Sequence, residues 1–284
     1  MRFIEKLTTR IEAIEAIDPV ADTFWKKLGS ITHSPPLASL LSGTWLGHPL
    51  HPALTDLPIG AWTSAFVLDI AGGVRARKAA QTLVGFGVLT AVPTALTGLS
   101  DWADTSERTR RVGVVHGLAN VAGMSLYGLS WMARRSGRHR GGIVLGMIGA
   151  LSATAGATLG GHLTFRLGVG TDVNAGDPSA GDWVDSDEGA ALPQGAGRYL
   201  EAGFQKVLAL HDGAGWHGLS ARCTHRGGPL QDGEYANGCV KCPWHGARFR
   251  LADGQVVAGP ATAPQPQYET RKTTDGFTFR RTSP

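Results

Sequence analysis

Two short segments in the C-terminal third decide what that part of the chain folds around. They read CTHRGGPL at residues 223–230 and CPWHG at residues 242–246. Each offers one cysteine and one histidine. A structural zinc site usually pairs like ligands at short spacing, whereas one thiolate and one imidazole from each of two Gly/Pro-rich loops suits a two-iron cluster. The predicted ligands, with both thiolates on one iron and both imidazoles on the other, are Cys223, His225, Cys242 and His245.

Short strand-like segments surround these two loops. Asn-Gly and Asp-Gly pairs separate the strand-like segments from one another. Glycine accepts the positive φ of a tight turn without steric cost. The chain from 183 to 284 is therefore predicted to be a small all-β domain. The predicted strands are 206–210, 216–220, 239–241, 247–251 and 277–281.

The two loops resemble those of the Rieske [2Fe-2S] family. Gly259-Pro260-Ala261, followed by Pro264 and Pro266, is similar to the proline loop that packs over the cluster in that family. The resemblance covers about residues 183–281. It implies a [2Fe-2S] cluster on the four residues named above, and such a cluster alone moves one electron and breaks no bonds.

The resemblance also indicates the redox class. High-potential members carry an additional cysteine in each loop, joined as a disulfide, but Gly228 and Trp244 stand at those places here. Ala247 stands where those members have a serine that donates to a cluster sulfur. These departures imply a low-potential, ferredoxin-like cluster. The third cysteine, Cys239, forms a C-x-x-C pair with Cys242, but we interpret it as a small apolar strand residue because Cys242 already serves the cluster.

The preceding part of the chain has the composition of a membrane domain. Three apolar stretches contain no formal charge and are long enough to cross a hydrocarbon core of about 30 Å. A fourth is weaker because it contains Asp69. The sequence therefore predicts a bundle of four transmembrane helices over 48–166, followed by the Rieske-type domain. The four stretches are 57–74, 79–100, 112–133 and 141–165.

A second resemblance supports this membrane domain. The segment GHPLHPALTDLPIG at residues 47–60, together with GGH at 160–162 and GVG at 168–170, is similar to an uncharacterised bacterial family of four-helix membrane domains with a GHPLHP-type signature. The resemblance covers about residues 48–173. It implies a multi-pass protein of the inner membrane but supplies no chemistry.

Two further segments complete the predicted organisation. Residues 1–47 begin with an amphipathic helix, since Ile4, Leu7, Ile11 and Ile14 recur at helical spacing. This helix either lies on the membrane surface or docks on its own protein; docking is favoured because anionic lipid would repel its acidic residues. Residues 167–182 are rich in Gly, Asp, Ser and Ala, which predicts a flexible linker.

Four histidines of the membrane domain form a second candidate site. With four spans, chain parity brings them to one membrane face. Three interpretations stay open: interfacial histidines bonded to backbone or water, ligands of a b-type haem, or a divalent metal site completed by Asp56 and Asp101. The four residues are His48, His51, His116 and His162.

These features predict a membrane-anchored electron-transfer protein whose partner is a redox protein or the quinone pool. The alternatives are an oxygenase-associated component, which needs a partner subunit because no mononuclear-iron domain is expected in this chain, and a membrane redox sensor. The net charge of +4 arises from scattered basic clusters, so nucleic acid is not an expected partner. The distribution of Arg and Lys places the Rieske domain outside by the positive-inside rule.

Overall fold

The computed structural model describes residues 2–32, 34–177, 181–211 and 213–282. It divides into two compact units. The helical unit comprises Met1–Ser30 and Leu50–Val169, and the β unit comprises Ile31–Pro49 and Gly170–Pro284. The β unit therefore includes the chain segments that come directly before and directly after the long helices.

Seven α-helices lie within the described residues. Four of them have more than twenty residues, and these form a bundle in the helical unit. The helices are α1 (Arg2–Glu12), α2 (Asp18–Thr32), α3 (Pro35–Ser42), α4 (Leu50–Ala71), α5 (Arg77–Ala103), α6 (Glu107–Arg135) and α7 (His139–Phe165).

Within the described residues, three helices are long and apolar enough to cross a membrane: α5 with the short turn before it, α6 and α7. The prediction of four spans was wrong in number. The difference lies in α4, whose apolar run is interrupted by Asp56, Pro58 and Asp69. This helix still belongs to the bundle core, since Trp62 stacks on Tyr127 with ring centroids 4.0 Å apart.

A buried ion pair joins α4 to α6. The two carboxylate oxygens of Asp69 accept hydrogen bonds of 2.7 and 2.6 Å from the Arg134 guanidinium. The side chains are only 7% and 3% exposed. Arg134 Nε also donates to Ser130 Oγ, whose hydroxyl donates to the Gly142 carbonyl of α7. The charge that interrupts α4 is thus neutralised inside the bundle and tied to two other helices.

Helix α1 docks on the bundle, which is the alternative that the acidic residues of this segment favoured over binding to the membrane surface. Ile11 is buried in an apolar cluster with Val112 and Leu159. At the end of α1, Glu12 Oε1 lies 2.8 Å from His162 Nε2. Thr8 and Ile11 are therefore buried against the bundle, whereas Ile4, Leu7 and Ile14 of the predicted apolar face are exposed.

The β unit contains two antiparallel sheets. The seven-stranded sheet has the order β1-β11-β10-β5-β4-β3-β2, and the four-stranded sheet has the order β6-β7-β8-β9. The five predicted strands are confirmed to within one residue at each end. The strands are β1 (Val184–Ser186), β2 (Ala190–Ala191), β3 (Gly197–Ala202), β4 (Gln205–His211), β5 (Trp216–Ser220), β6 (Glu234–Ala236), β7 (Cys239–Lys241), β8 (Arg248–Arg250), β9 (Val256–Ala258), β10 (Gln267–Lys272) and β11 (Phe277–Arg281).

The core of the β unit reaches the two predicted loops. Leu208 and Leu219 from the large sheet and Phe249 from the small sheet share one buried cluster with Cys223 and Cys242. The thiols therefore belong to the packed interior of the domain.

Part of the predicted flexible linker is packed against the β unit. Asn174 is fully buried, and its side chain is hydrogen-bonded to Ser220 and Arg222. The composition of this segment predicted that its polar residues are solvated. In the structure, Asn174 is instead buried against hydrogen-bonding partners. Residues 178–180 of the predicted linker lie outside the described residues, and the domain boundaries themselves stay predictions.

We expect Asp69→Asn to destabilise the helical unit by about 3 kcal/mol, because removing one partner leaves the Arg134 charge buried without compensation. Thermal unfolding of the full chain in detergent measures this. Asp56→Asn is the matched control, since Asp56 lies on the same helix but is exposed. Equal unfolding of the two variants would contradict the assigned role of the pair.

Candidate metal centre

The two predicted ligand loops are closed by the same backbone turn. In the first loop (residues 223–228) the Gly227 N–H donates to the Cys223 carbonyl at 2.7 Å. In the second loop (residues 242–247) the Gly246 N–H donates to the Cys242 carbonyl at 3.1 Å. Both glycines have a φ in the left-handed region, +74° and +77°, which other residues rarely adopt. The sequence thus specifies two equivalent turns.

These turns bring the four predicted ligands together. The Cys223 and Cys242 thiols are hydrogen-bonded to each other, and the two residues are 1% and 2% exposed. The rings of His225 and His245 are 5.2 Å apart, nearly perpendicular and half-buried. The thiols therefore lie on the core side, while the imidazoles are partly open to solvent.

Backbone N–H groups surround the two sulfur atoms. The hydrogen bond from the Cys223 thiol lowers the pKa of Cys242 to about 7, and the N–H groups of Trp244 and His245 act in the same direction. The same shared hydrogen bond, together with burial, raises the pKa of Cys223, which the N–H groups of His225 and Arg226 partly oppose. Donors of this kind stabilise negative charge on sulfur, as iron–sulfur ligation requires.

The donor set fits a [2Fe-2S] cluster. Two buried sulfurs beside N–H donors suit one iron, and two adjacent imidazoles nearer the surface suit the other. The remaining cysteine, Cys239, lies in β7 opposite Ala236 and Arg250, as the sequence predicted. It is in the strand that leads to the second loop.

Gly228 packs too closely against the second ligand loop to carry a side chain. A Cβ atom at this position would lie 2.6 Å from Cys242 Sγ and 3.3 Å from the Trp244 ring. Positions 228 and 244 therefore face each other, as the resemblance implied. Within the described residues every cysteine is free, so the pair of loops is held without a disulfide.

The proline loop packs on the first ligand loop. Its three residues Gly259, Pro260 and Ala261 are buried, and the Thr224 hydroxyl donates to the Ala263 carbonyl at 2.8 Å. The Gln265 amide, placed so that its neighbours are satisfied, donates to the Arg222 carbonyl and accepts from the Thr224 N–H.

Helix α3 holds the proline loop from the other side, and sequence reasoning missed this contact. The Gly259 N–H donates to Ser39 Oγ at 2.9 Å, and the Thr44 hydroxyl donates to the Ala261 carbonyl at 2.7 Å. A Cβ at Gly259 would lie 2.5 Å from Thr44 Oγ1. Ser39 belongs to α3 and Thr44 to the 3-10 turn that follows it, and neither segment carries a sequence signal of a partner more than 200 residues away in the chain.

The four histidines of the membrane domain have separate local partners. His51 Nδ1 lies 2.9 Å from the Thr94 carbonyl, and His116 Nδ1 lies 2.8 Å from the Gly156 carbonyl. His162 pairs with Glu12, and His48, which belongs to the β unit, lies 2.9 Å from the Pro49 carbonyl. The contacts of His48, His51 and His116 match the backbone-bonded interpretation, whereas His162 contacts a carboxylate. The arrangement gives no support to haem, and we propose neither haem nor a second metal here.

Comparison with known proteins assigns both halves of the chain. A family model described as "Predicted membrane protein (DUF2231)" matches residues 47–173. A second model, described as "Rieske [2Fe-2S] domain", matches residues 182–269 and so includes both ligand loops. This chain joins a DUF2231 membrane domain to a Rieske domain. The DUF2231 model and the three apolar helices together indicate a multi-pass membrane protein.

Curated relatives match the Rieske domain. The 3-phenylpropionate/cinnamic acid dioxygenase ferredoxin subunit of Photorhabdus laumondii is 33% identical over 78 residues, which cover 27% of this chain and 73% of that protein. The cytochrome b6-f complex iron-sulfur subunit of Chlorobaculum tepidum is 34% identical over 80 residues, covering 28% and 43%. Human apoptosis-inducing factor 3 is 42% identical over 69 residues, covering 24% of this chain and 11% of that protein. The match thus spans about a tenth of that last relative's length.

We expect Cys223→Ser and His225→Ala in the full chain each to lose most of the [2Fe-2S] absorbance and EPR signal, because each removes one ligand of an iron. Iron and acid-labile sulfide per chain measure the loss. Cys239→Ser is the control and should retain full content. Retention of the cluster in Cys223→Ser, or its loss in Cys239→Ser, would show that the ligand set is different.

Proposed function

We propose that this protein is a membrane-anchored electron carrier whose [2Fe-2S] cluster passes single electrons between a membrane-side donor and a surface acceptor. Cys223 and Cys242 hold one iron, and His225 and His245 hold the other. The observation that carries the proposal is the asymmetry of the site, since the thiols are buried while the imidazoles are partly exposed.

We infer that the electron passes to the acceptor at the exposed edge of the site, which His225, Trp244 and His245 form. His225 and His245 are half-buried, and Trp244 of the second loop is 56% exposed. A large exposed aromatic side chain next to a redox centre is typical of a surface that a partner protein covers. The donor or acceptor at the membrane is a redox protein or the quinone pool.

The surroundings of the site support a low reduction potential. Position 228 has no room for the cysteine of a disulfide, and Ala247 has no hydroxyl to donate to a cluster sulfur. Fewer hydrogen bonds to the sulfurs leave the additional negative charge of the reduced cluster less stabilised. The carrier is therefore suited to accept electrons from a strong reductant.

A second candidate function is electron supply to an oxygenase made by another chain. It is favoured by the similarity to a dioxygenase ferredoxin subunit, the relative whose length is matched most fully among those described above. In that role the cluster would have the same ligands and the same exposed edge, but its acceptor would be a catalytic iron protein. A membrane redox sensor has no observation of its own in this structure.

An anaerobic redox titration of the full chain in detergent tests the electron-carrier function. We expect a reversible one-electron EPR signal with a midpoint below about 0 mV at pH 7, in the lower part of the Rieske range. A midpoint above about +150 mV would overturn the low-potential assignment. A cluster that is destroyed on reduction would overturn electron transfer itself.

We further propose that the Rieske domain faces outward. The residues after α7 and the loop between α6 and α7 lie at opposite ends of one span. That loop region carries the exposed Arg135, Arg138 and Arg140. On the other side, Arg110 and Arg111 are paired with acidic residues of α2, which weakens their contribution. The unpaired positive charge therefore favours a cytoplasmic α6–α7 loop.

Protease accessibility in oriented vesicles tests this orientation. Protease added to right-side-out vesicles should release the Rieske domain from the membrane-bound helices, because the predicted linker at residues 167–182 is then exposed to the protease. Inverted vesicles are the control and should protect it. Cleavage in the inverted vesicles alone would place the Rieske domain in the cytoplasm.

A further inference from the structure

The residues from Asp172 to Asp177, which we name the strap, connect the end of the DUF2231 match to the Rieske domain. Asn174 in the middle of the strap is fully buried, and both ends of its amide are used. Its Nδ2 donates to the Arg222 carbonyl at 2.8 Å, and its Oδ1 accepts from the Ser220 hydroxyl at 3.0 Å. A buried amide satisfied at both ends is a specific attachment point.

Charged side chains fasten the strap on both sides of Asn174. Arg222 donates to the Val173 carbonyl at 3.1 Å and forms an ion pair with Asp177. Arg281 of β11 donates to the backbone carbonyls of Asn174 and Asp177 at 3.2 and 3.1 Å. Hydrogen bonds to charged groups are stronger than neutral ones. The strap is therefore held to the domain at Val173, Asn174 and Asp177.

The attachment lies directly before a cluster ligand. Ser220 ends β5, and Arg222 is the residue before Cys223. Further along the same loop, a Cβ at Gly227 would meet the Val173 side chain at 3.6 Å, an ordinary contact distance. The strap thus holds the residue directly before Cys223, and its Val173 lies near Gly227 at the far end of the loop.

We propose that the strap positions the first ligand loop, with Asn174 as its positioning residue. By holding the peptide carbonyl of Arg222, Asn174 fixes the direction in which Cys223 leaves β5. That direction sets how the N–H groups of His225 and Arg226 face the Cys223 sulfur. The segment that leaves the membrane domain therefore tunes the electron affinity of the cluster. This inference rests on the proposed ligation of the cluster by Cys223.

A merely structural strap would behave differently. It would contribute to the stability of the fold but would leave the cluster's environment unchanged when altered. The Arg222 carbonyl keeps a second donor, the Gln265 amide, so the loop is expected to remain folded when Asn174 is replaced. The variant can therefore be compared with the wild type while it carries a cluster.

The test is Asn174→Leu in the full chain, with the cluster equilibrated against a redox dye. We expect the equilibrium constant for cluster reduction to fall at least about threefold, because weaker N–H···S contacts stabilise the reduced cluster less. The g-values of the reduced cluster should shift as well. Gln255→Leu, which removes an exposed amide from the same domain, is the control and should change neither.

Ser220→Ala provides a second variant. It removes the hydrogen bond to Asn174 Oδ1 and keeps the one from Asn174 Nδ2, and it also removes the bond that the Arg222 N–H donates to Ser220 Oγ. We expect a smaller shift in the same direction. If Asn174→Leu does not load a cluster, the result for Ser220→Ala decides. Wild-type reduction and g-values in the variants that do load, even with lowered thermal stability, would overturn the proposal. A wild-type chain that binds no cluster would instead overturn the proposed function.

Discussion

The structure of the Rieske domain depends on one constraint: two backbone turns must place two thiols side by side inside a protein core. Each turn is closed by a glycine N–H on the cysteine carbonyl, and each glycine has a positive φ. The same turns direct backbone N–H groups toward the sulfurs. Burial alone would raise the pKa of both thiols, but the hydrogen bond from the Cys223 thiol, together with the N–H groups of Trp244 and His245, lowers the pKa of Cys242. The two sheets and the proline loop surround this arrangement.

The helical unit meets a different constraint, which is the cost of charge in an apolar bundle. The charged and polar side chains of the bundle are therefore paired with complementary groups. Asp69 and Arg134 neutralise each other with two hydrogen bonds, and Ser130 extends the contact to α7. His51 and His116 each face a backbone carbonyl of a neighbouring helix. Polar groups that look like a functional cluster in the sequence thus serve helix packing in the structure.

The Rieske domain is completed by residues outside its own sequence match. Ser39 of α3 and Thr44 of the turn after it hold the proline loop, and the strap holds the residue before the first ligand loop through Asn174. Both segments flank the long helices in the chain. The segments that hold the loops around the candidate metal centre are therefore also those that join the Rieske domain to the membrane helices in the sequence.

The sequence by itself determined the features that depend on local chemistry. Ligand type and spacing predicted the four cluster ligands, Asn-Gly and Asp-Gly turns separated the predicted strands, and uncharged apolar runs identified α5, α6 and α7. The sequence overestimated α4 as a fourth span: Asp69 already marked it as the weakest of the four, and Asp56 and Pro58 interrupt the same apolar helix. Only the tertiary structure decided the long-range polar contacts. The sequence predicts that Asn174, in a Gly/Asp/Ser-rich segment, is solvated, but in the structure it is buried and hydrogen-bonded to Ser220 and Arg222. A hydrogen bond between residues far apart in sequence leaves no local pattern. The histidines illustrate the same limit: parity of spans could gather them at one face, but the carbonyl that each ring contacts depends on how the helices pack.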